Sequence, residues 1–266
     1  MKIAITGAND GIGKETARQL LRKGESVVMI SRDSEKSRRA LQELSEEGEA
    51  DLITCDLASI EEVAAAAERI KEEHPETQVV ICNAGVMRKS REESRDGLEL
   101  TFAVNHLAHF LLVTRLLDLL KANAPSRVVV VSSMTHESGR VDLSDLQSQR
   151  SYDGMSAYAQ SKRANVLFVQ ELAKRLEGTG VTANALHPGV IATKLLHEYF
   201  SGGAPVTDGA KTSVYLATSQ EIGSVTGEYF RNRRPASSTA LEGDGSTAEQ
   251  LWRRSEELIS EILGKE

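Results

Sequence analysis

The chain has 266 residues, of which 40% are hydrophobic, 27% charged and 4% aromatic, with 32 Lys and Arg against 39 Asp and Glu. A formal net charge of -7 repels nucleic-acid phosphates and anionic lipid surfaces, and so few aromatics argue against a base-stacking platform. The length suffices for a sizeable core without disulfides, and Cys55 and Cys82, both in apolar runs, read as free thiols rather than a disulfide framework.

In chain order, KIAIT (2–6) reads as a strand and Gly11 to Lys23 as a helix, with Ile12, Thr16, Leu20 and Leu21 at helical spacing. SVVMIS (26–31) is a second strand, Ser34 to Glu47 a charged helix, DLITC (51–55) a third strand and Ile60 to Glu73 an Ala-rich helix. QVVIC (78–82) is a fourth strand, followed by a long, largely apolar helix from Gly97 to Lys121. RVVVVSS (127–133) is a fifth strand, Ala157 to Leu176 another long helix and VTANALHP (181–188) a sixth strand. The polar tract 134–153 predicts a surface loop. Residues 194–212 mix apolar side chains with Gly and Pro and predict a mobile flap, so that 190–212 becomes the expected substrate flap, with Tyr199 and Phe200 as pocket or anchor residues. Residues 231–246 are polar and rich in Gly and Ser, and Ala248 to Leu263 reads as a terminal amphipathic helix.

These strands are continuously apolar, so both sheet faces are expected to be covered. Their alternation with helices implies right-handed crossovers. The expected fold is α/β, a doubly wound parallel sheet of about seven strands with helices on both faces, formed by residues 1–266 as one domain. No apolar run reaches the length of a membrane span, and the chain opens on its first strand without a leader, so a soluble, cytoplasmic protein is expected.

The first strand runs into Thr6-Gly7-Ala8-Asn9-Asp10-Gly11-Ile12-Gly13 and then a helix. Gly7 suits the tight turn, Gly11 a close approach to a pyrophosphate, and Gly13 close helix–strand packing, with the helix N-terminus aimed at the phosphates. The second strand ends in Ser31-Arg32. At this position an acid accepts from the 2′-hydroxyl of NAD and a base pairs with the 2′-phosphate of NADP. Uncharged Ser31 and the guanidinium of Arg32 favour NADP, with Asp10 and Asp33 as opposing charges nearby in sequence.

Tyr158 and Lys162 stand at i and i+4 of a helix, which puts an ammonium beside a phenol. The cation is expected to lower the phenol's pKa and make it a general acid/base. Ligands of a doubly wound sheet bind beyond the carboxyl ends of its strands. The glycine turn, Ser31-Arg32, Asp56, Asn83-Ala84-Gly85, Ser133 and His187-Pro188-Gly189 all fall at that edge. His106 and His109, at i and i+3, have a metal-compatible spacing, but no Cys or acid cluster accompanies them, and packing roles are expected.

TGANDGIG (6–13), Asp56-Leu57, CNAG (82–85), Asn105 in AVNH, VVSS (130–133), YAQSK (158–162) and HPGVIAT (187–193) together resemble the short-chain dehydrogenase/reductase family. VNHLAHFLL (104–112), SKRANVLFVQELAKRL (161–176), the long interval from Ser133 to Tyr158 and TGEYF (226–230) look closest to its retinol-dehydrogenase-like branch. The resemblance implies a tetrad: Tyr158 as proton donor, Lys162 lowering its pKa and holding the nicotinamide ribose, Ser133 on the substrate oxygen, and Asn105 supporting a proton-relay water. It also implies that Asn9 and Ile12 hold the adenosine and phosphates, that Asp56-Leu57 contact adenine, and that Asn83, Ala84 and Gly85 line the adenine-ribose side. Pro188 to Thr193 would seat the carboxamide, with Ile191 offering backbone groups. Two positions depart from the family pattern: Asp10, where Ser or Thr is frequent, and Cys82, in place of an asparagine.

The expected function is NADP(H)-dependent hydride transfer between nicotinamide and a carbonyl or alcohol, with no metal and a small-molecule substrate. Surplus apolar faces on 98–120 and 164–176 would suit a homodimer or homotetramer. The alternative is a non-catalytic NADP(H)-binding sensor or scaffold. Sugar-nucleotide epimerisation on the same fold would call for a larger C-terminal substrate domain.

Overall fold

The computed structural model describes residues 1–193, 201–242 and 245–264. Its elements are β1 (Lys2–Thr6), α1 (Gly11–Leu21), β2 (Ser26–Ser31), α2 (Glu35–Ser45), β3 (Ala50–Thr54), α3 (Ile60–Glu73) and β4 (Thr77–Cys82). A short α4 (Leu100–Phe102) continues through a π-helical turn (Ala103–Leu107) into α5 (Ala108–Ala122). There follow β5 (Ser126–Val131), a 3₁₀ turn (Met134–Glu137), α6 (Gly154–Arg175), β6 (Val181–His187) and α7 (Val206–Thr218). β7 (Tyr229–Arg231), β8 (Arg234–Pro235) and α8 (Ser246–Leu263) complete the described residues.

The strands form one sheet in the order β3-β2-β1-β4-β5-β6-β7-β8. Neighbours from β3 to β7 are parallel, and β8 returns antiparallel to β7. The α/β doubly wound expectation holds, with one more strand than the sequence suggests. The β7–β8 hairpin is a two-residue turn in which Asn232 and Arg233 take positive φ, 51° and 63°, the geometry that matches strand twist. It lies inside the tract 231–246, whose polarity conceals it.

Successive strand residues feed opposite cores, which is why the strands are apolar throughout. Ala4, Val28, Ile53, Val80 and Val128 face α3, α5, α6 and α8. Ile3, Ile5, Met29, Ile81 and Val129 face the layer of α1, α2 and α7. On the first face α8 packs against α6 and α3. Its Trp252 ring meets Phe110 at 4.8 Å and Phe168 at 5.8 Å between centroids, and the Arg175 guanidinium sits 4.2 Å above it. The chain's own last helix therefore covers part of the α5 and α6 faces.

Three local expectations need correction. The tract 134–153 is not wholly surface loop, because His136 is fully buried and Leu146 is 3% exposed. The 190–212 flap divides: Ala192 N–H donates to Ala204 O and Ala204 N–H to Val190 O, both at 2.8 Å, while residues from Val206 onward belong to α7 against α1. Tyr199 and Phe200 lie outside the described residues. The helical stretch Leu100–Ala122 is long and apolar enough to cross a membrane, contrary to the sequence reading. Most of it is buried among α3, α6 and the sheet, and that burial accounts for its apolarity.

Candidate active site

The site begins where β1 and β4 end. The Thr6 hydroxyl oxygen accepts from Asn83 N–H at 2.8 Å and Ala84 N–H at 3.0 Å. His109 Nδ1 lies 3.0 Å from the Asn105 carbonyl, so this nitrogen donates and Nε2 is left to accept from the Thr6 hydroxyl at 2.9 Å. Asn83 Nδ2 donates to Thr6 O at 2.9 Å. These bonds fix the switch point between β1 and β4, from which the glycine turn leaves. Gly7 takes φ +68°, and a Cβ on Gly13 would stand 2.3 Å from Gly7 O and 2.4 Å from Asn83 Nδ2. Only glycine lets α1 start that close to the sheet. Asp10, at the N-cap, makes no side-chain bond to the first turn of α1, so the helix presents its amides and its positive dipole end to the cleft.

That cleft, about 1170 Å³, runs from the glycine turn to Tyr158. It brings together Gly7, Asn9, Gly11, Ile12, Gly13, Ser31, Arg32, Asp56, Leu57, Asn83, Ala84, Gly85, Tyr158, Lys162, Pro188 and Thr193. Buried Asn105 and Ile191 and half-buried Ser133 are not among the residues that line it. The glycine cradle, the uncapped helix end and a guanidinium at the end of β2 are the donor set that a dinucleotide needs, so the residues fit a nicotinamide cofactor. At the adenosine end Ser37 Oγ collects Asn9 Nδ2 at 3.0 Å and Ser31 Oγ at 3.1 Å, and donates to Arg32 O at 2.7 Å. Asp56 Oδ1 accepts from Ala58 N–H at 3.1 Å, and its other oxygen is 3.4 Å from Arg95.

At the other end, α6 carries Tyr158 and Lys162 and β5 leads into Ser133. The Ser133 hydroxyl lies near enough to the Tyr158 phenol to pull its pKa down. Lys162 Nζ donates to Val131 O at 3.0 Å and lies 5.6 Å from the Tyr158 ring centroid. Burial pushes the Tyr158 phenol up to about 12 against the pull of Ser133, and pushes Lys162 down to about 8. The spacing argument expects the ammonium to govern the phenol. Here Nζ lies over the ring and is held by a carbonyl, so burial governs instead. Asn105 sits in the π turn, whose extra residue turns its side chain inward. Its Nδ2 donates to Val86 O at 2.9 Å and Ser161 Oγ at 3.0 Å, and its Oδ1 accepts from Val86 N–H at 2.7 Å.

Further buried side chains surround the site, and one of them, His136, the sequence reading passed over. His136 is fully buried: Nδ1 lies 2.5 Å from Ser133 O, Nε2 2.7 Å from Ser238 Oγ, and the ring packs 4.5 Å from Tyr229. It ties the Ser133 turn to the C-terminal segment. His187 Nδ1 accepts from Met134 N–H at 3.3 Å, and burial pushes it down to about 4. His106 Nε2 lies 3.0 Å from Ser255 Oγ, away from His109, and among the described residues no group of three metal-ligating side chains occurs. Cys55 and Cys82 are buried free thiols, and burial raises both, Cys55 to about 12.

The family model described as short chain dehydrogenase matches residues 1–203. Human retinol dehydrogenase 14 is 40% identical over 288 residues, covering 97% of this chain and 85% of that one. A solved structure of an uncharacterised protein from Mycobacterium paratuberculosis superposes with a TM-score of 0.81 at 33% identity, covering 97% of this chain and 93% of the other. A protein described as an NAD(P)-dependent gluconate 5-dehydrogenase from Beutenbergia cavernae, solved with bound NADP, gives 0.73 at 25% identity, covering 87% and 94%. With the cleft and these likenesses in hand, the chain belongs to the short-chain dehydrogenase/reductase family, in its retinol-dehydrogenase-like branch, and is an NAD(P)-dependent oxidoreductase acting on CH–OH or C=O groups.

Proposed function

We propose that this protein reduces carbonyl compounds, and oxidises the corresponding alcohols, with NADP(H) preferred over NAD(H). The observation that carries the reading is the half-buried Tyr158 phenol, with the Ser133 hydroxyl near it and Lys162 over its ring, at one end of a cleft that starts at a glycine cradle.

The bound nicotinamide supplies or accepts the hydride. Tyr158, protonated at neutral pH because of its burial, donates a proton to the oxygen of the reduced carbonyl. The Ser133 hydroxyl donates to the same oxygen and stabilises the charge that develops there. Lys162 provides positive charge beneath the phenol, and Asn105 fixes Val86 and Ser161 around it. At the adenosine end, Arg32 carries no ion pair among the described residues and is available to a 2′-phosphate. Met134 and Val190, exposed apolar side chains at 45% and 52%, follow Ser133 and Gly189 directly and favour a substrate with an apolar body.

The test is NADPH absorbance with purified protein and a panel of aldehydes, ketones and quinones, beside NADH. Turnover with NADPH at higher kcat/KM than with NADH is expected. A preference for NADH would contradict the role given to Arg32.

A further inference from the structure

Ser133 opens the 3₁₀ turn Met134–Glu137, and that turn folds back on it. Its Oγ accepts from Thr135 N–H at 3.3 Å, which leaves the hydroxyl hydrogen to donate to a substrate oxygen beside Tyr158. Its carbonyl oxygen meets His136 twice, accepting from the backbone N–H at 3.1 Å and from Nδ1 at 2.5 Å. His136 is fully buried, with its ring against Tyr229 of β7. Two groups stand at Nε2: Ser238 Oγ at 2.7 Å and Glu137 Oε1 at 2.9 Å. Burial holds the ring below its ordinary pKa against the pull of Ser133 O and Glu137, so it is neutral at neutral pH. A carbonyl can only accept, so the proton sits on Nδ1 and Nε2 accepts from the Ser238 hydroxyl. A protonated ring would donate to Glu137 from Nε2 and still donate to Ser133 from Nδ1. The bond to Ser133 is made in either charge state.

The rest of the turn is held by α6 and by the segment after β8. Glu137 Oε2 accepts from the Thr239 hydroxyl at 2.7 Å and from its N–H at 3.2 Å. Arg163, next in the chain to Lys162, donates to Thr239 Oγ1 and O, both at 3.0 Å, and to His136 O at 3.3 Å. A Cβ on Gly139 would stand 2.3 Å from Ala159 O, so the chain after the turn lies directly on α6 beside Tyr158. We propose that His136 is a positioning residue, which holds the Ser133 hydroxyl beside the Tyr158 phenol, with Ser238 keeping the ring proton on Nδ1. The proposal rests on the carbonyl-reduction reading above and deepens it. His136 touches no reacting atom. Its loss misplaces a transition-state donor and leaves the glycine cradle untouched, so turnover suffers and cofactor binding does not.

Steady-state kinetics of carbonyl reduction by NADPH, with dissociation constants for NADP⁺, test it in the full chain and in Ser133→Ala, His136→Leu, His136→Asn and Ser238→Ala variants. His136→Leu is expected to lose about tenfold in kcat, with the carbonyl KM and the NADP⁺ affinity each within about threefold of wild type. His136→Asn, whose amide nitrogen can replace Nδ1 as donor to Ser133 O, is expected to recover kcat to within about threefold of wild type. A purely structural histidine predicts another pattern, with Asn no better than Leu and NADP⁺ affinity lost along with kcat. That pattern, or wild-type kcat in His136→Leu, overturns the proposal. Nitrogen-resolved NMR of the His136 ring reads the bond without turnover. A neutral ring protonated at Nδ1 is expected, and one protonated at Nε2 alone overturns the proposal. Ser238→Ala is expected to move part of the proton to Nε2 and to lower kcat about threefold. A proton that stays wholly on Nδ1 in that variant overturns the part given to Ser238. The two readings fail separately. If Ser133→Ala keeps wild-type kcat, the reduction mechanism itself falls. If Ser133→Ala lowers kcat while His136→Leu does not, only the positioning role falls.

Discussion

Tyr158 and Lys162 hold opposite positions on the proton scale from those of exposed side chains. The phenol is pushed up to about 12 and the ammonium down to about 8, both by burial. At neutral pH the phenol is a proton donor, which suits carbonyl reduction, and alcohol oxidation needs the phenolate. Reduction is therefore expected to hold steady between about pH 6 and 7 and to fall as Lys162 loses its charge around pH 8, while oxidation rises with pH over the range of about 6 to 8. Initial rates in both directions across that range check this; oxidation fastest at the acid end would contradict it. Tyr158, Lys162 and the glycines were legible because spacing and strand ends mark them. His136 was not, and His109 was expected only to pack, because their partners Ser238 and Thr6 lie 102 and 103 residues away in sequence. A single histidine carries no pattern that announces such a partner.

The strands and most helices follow from local pattern, as at Ile60–Glu73, where Ser59 caps the helix by accepting from Glu62 N–H. The π turn at Ala103–Leu107 escapes such reading, since one added residue hardly disturbs a long apolar helix. The β7–β8 hairpin escapes it because its strands are only 3 and 2 residues long. At this scale α8 is the most consequential element, since it lays Trp252 over Phe110, Phe168 and Arg175. Trp252→Ala is expected to lower unfolding stability by about 3–5 kcal/mol through lost burial and the cavity left behind. Denaturant titration measures it, and a loss below about 1 kcal/mol would mean that α8 contributes little to the core.

For the molecule as a whole, the two cores and the parallel sheet were implied by strands apolar on both faces, but the cost of their buried histidines was not. Burial pushes His106 and His187 down to about 4 and His109 to about 3. Each ordinarily titrates near 6.5, so the unfolded chain takes up these protons before the folded one does. Stability is accordingly full above about pH 6.5 and is expected to fall as pH drops towards 4, by an amount on the order of a few kcal/mol per histidine. Denaturant midpoints at pH 7, 6, 5 and 4 follow it, and an unchanged midpoint down to pH 4 would contradict the assigned burial.

The central claim is that Tyr158 moves the proton. The most direct measurement is kcat for carbonyl reduction by Tyr158→Phe, alongside its dissociation constant for NADP⁺. The account predicts a loss of about 100-fold or more in kcat, with cofactor affinity within about threefold of wild type. Turnover retained at the wild-type level, or cofactor binding lost from a variant that remains folded, would contradict it.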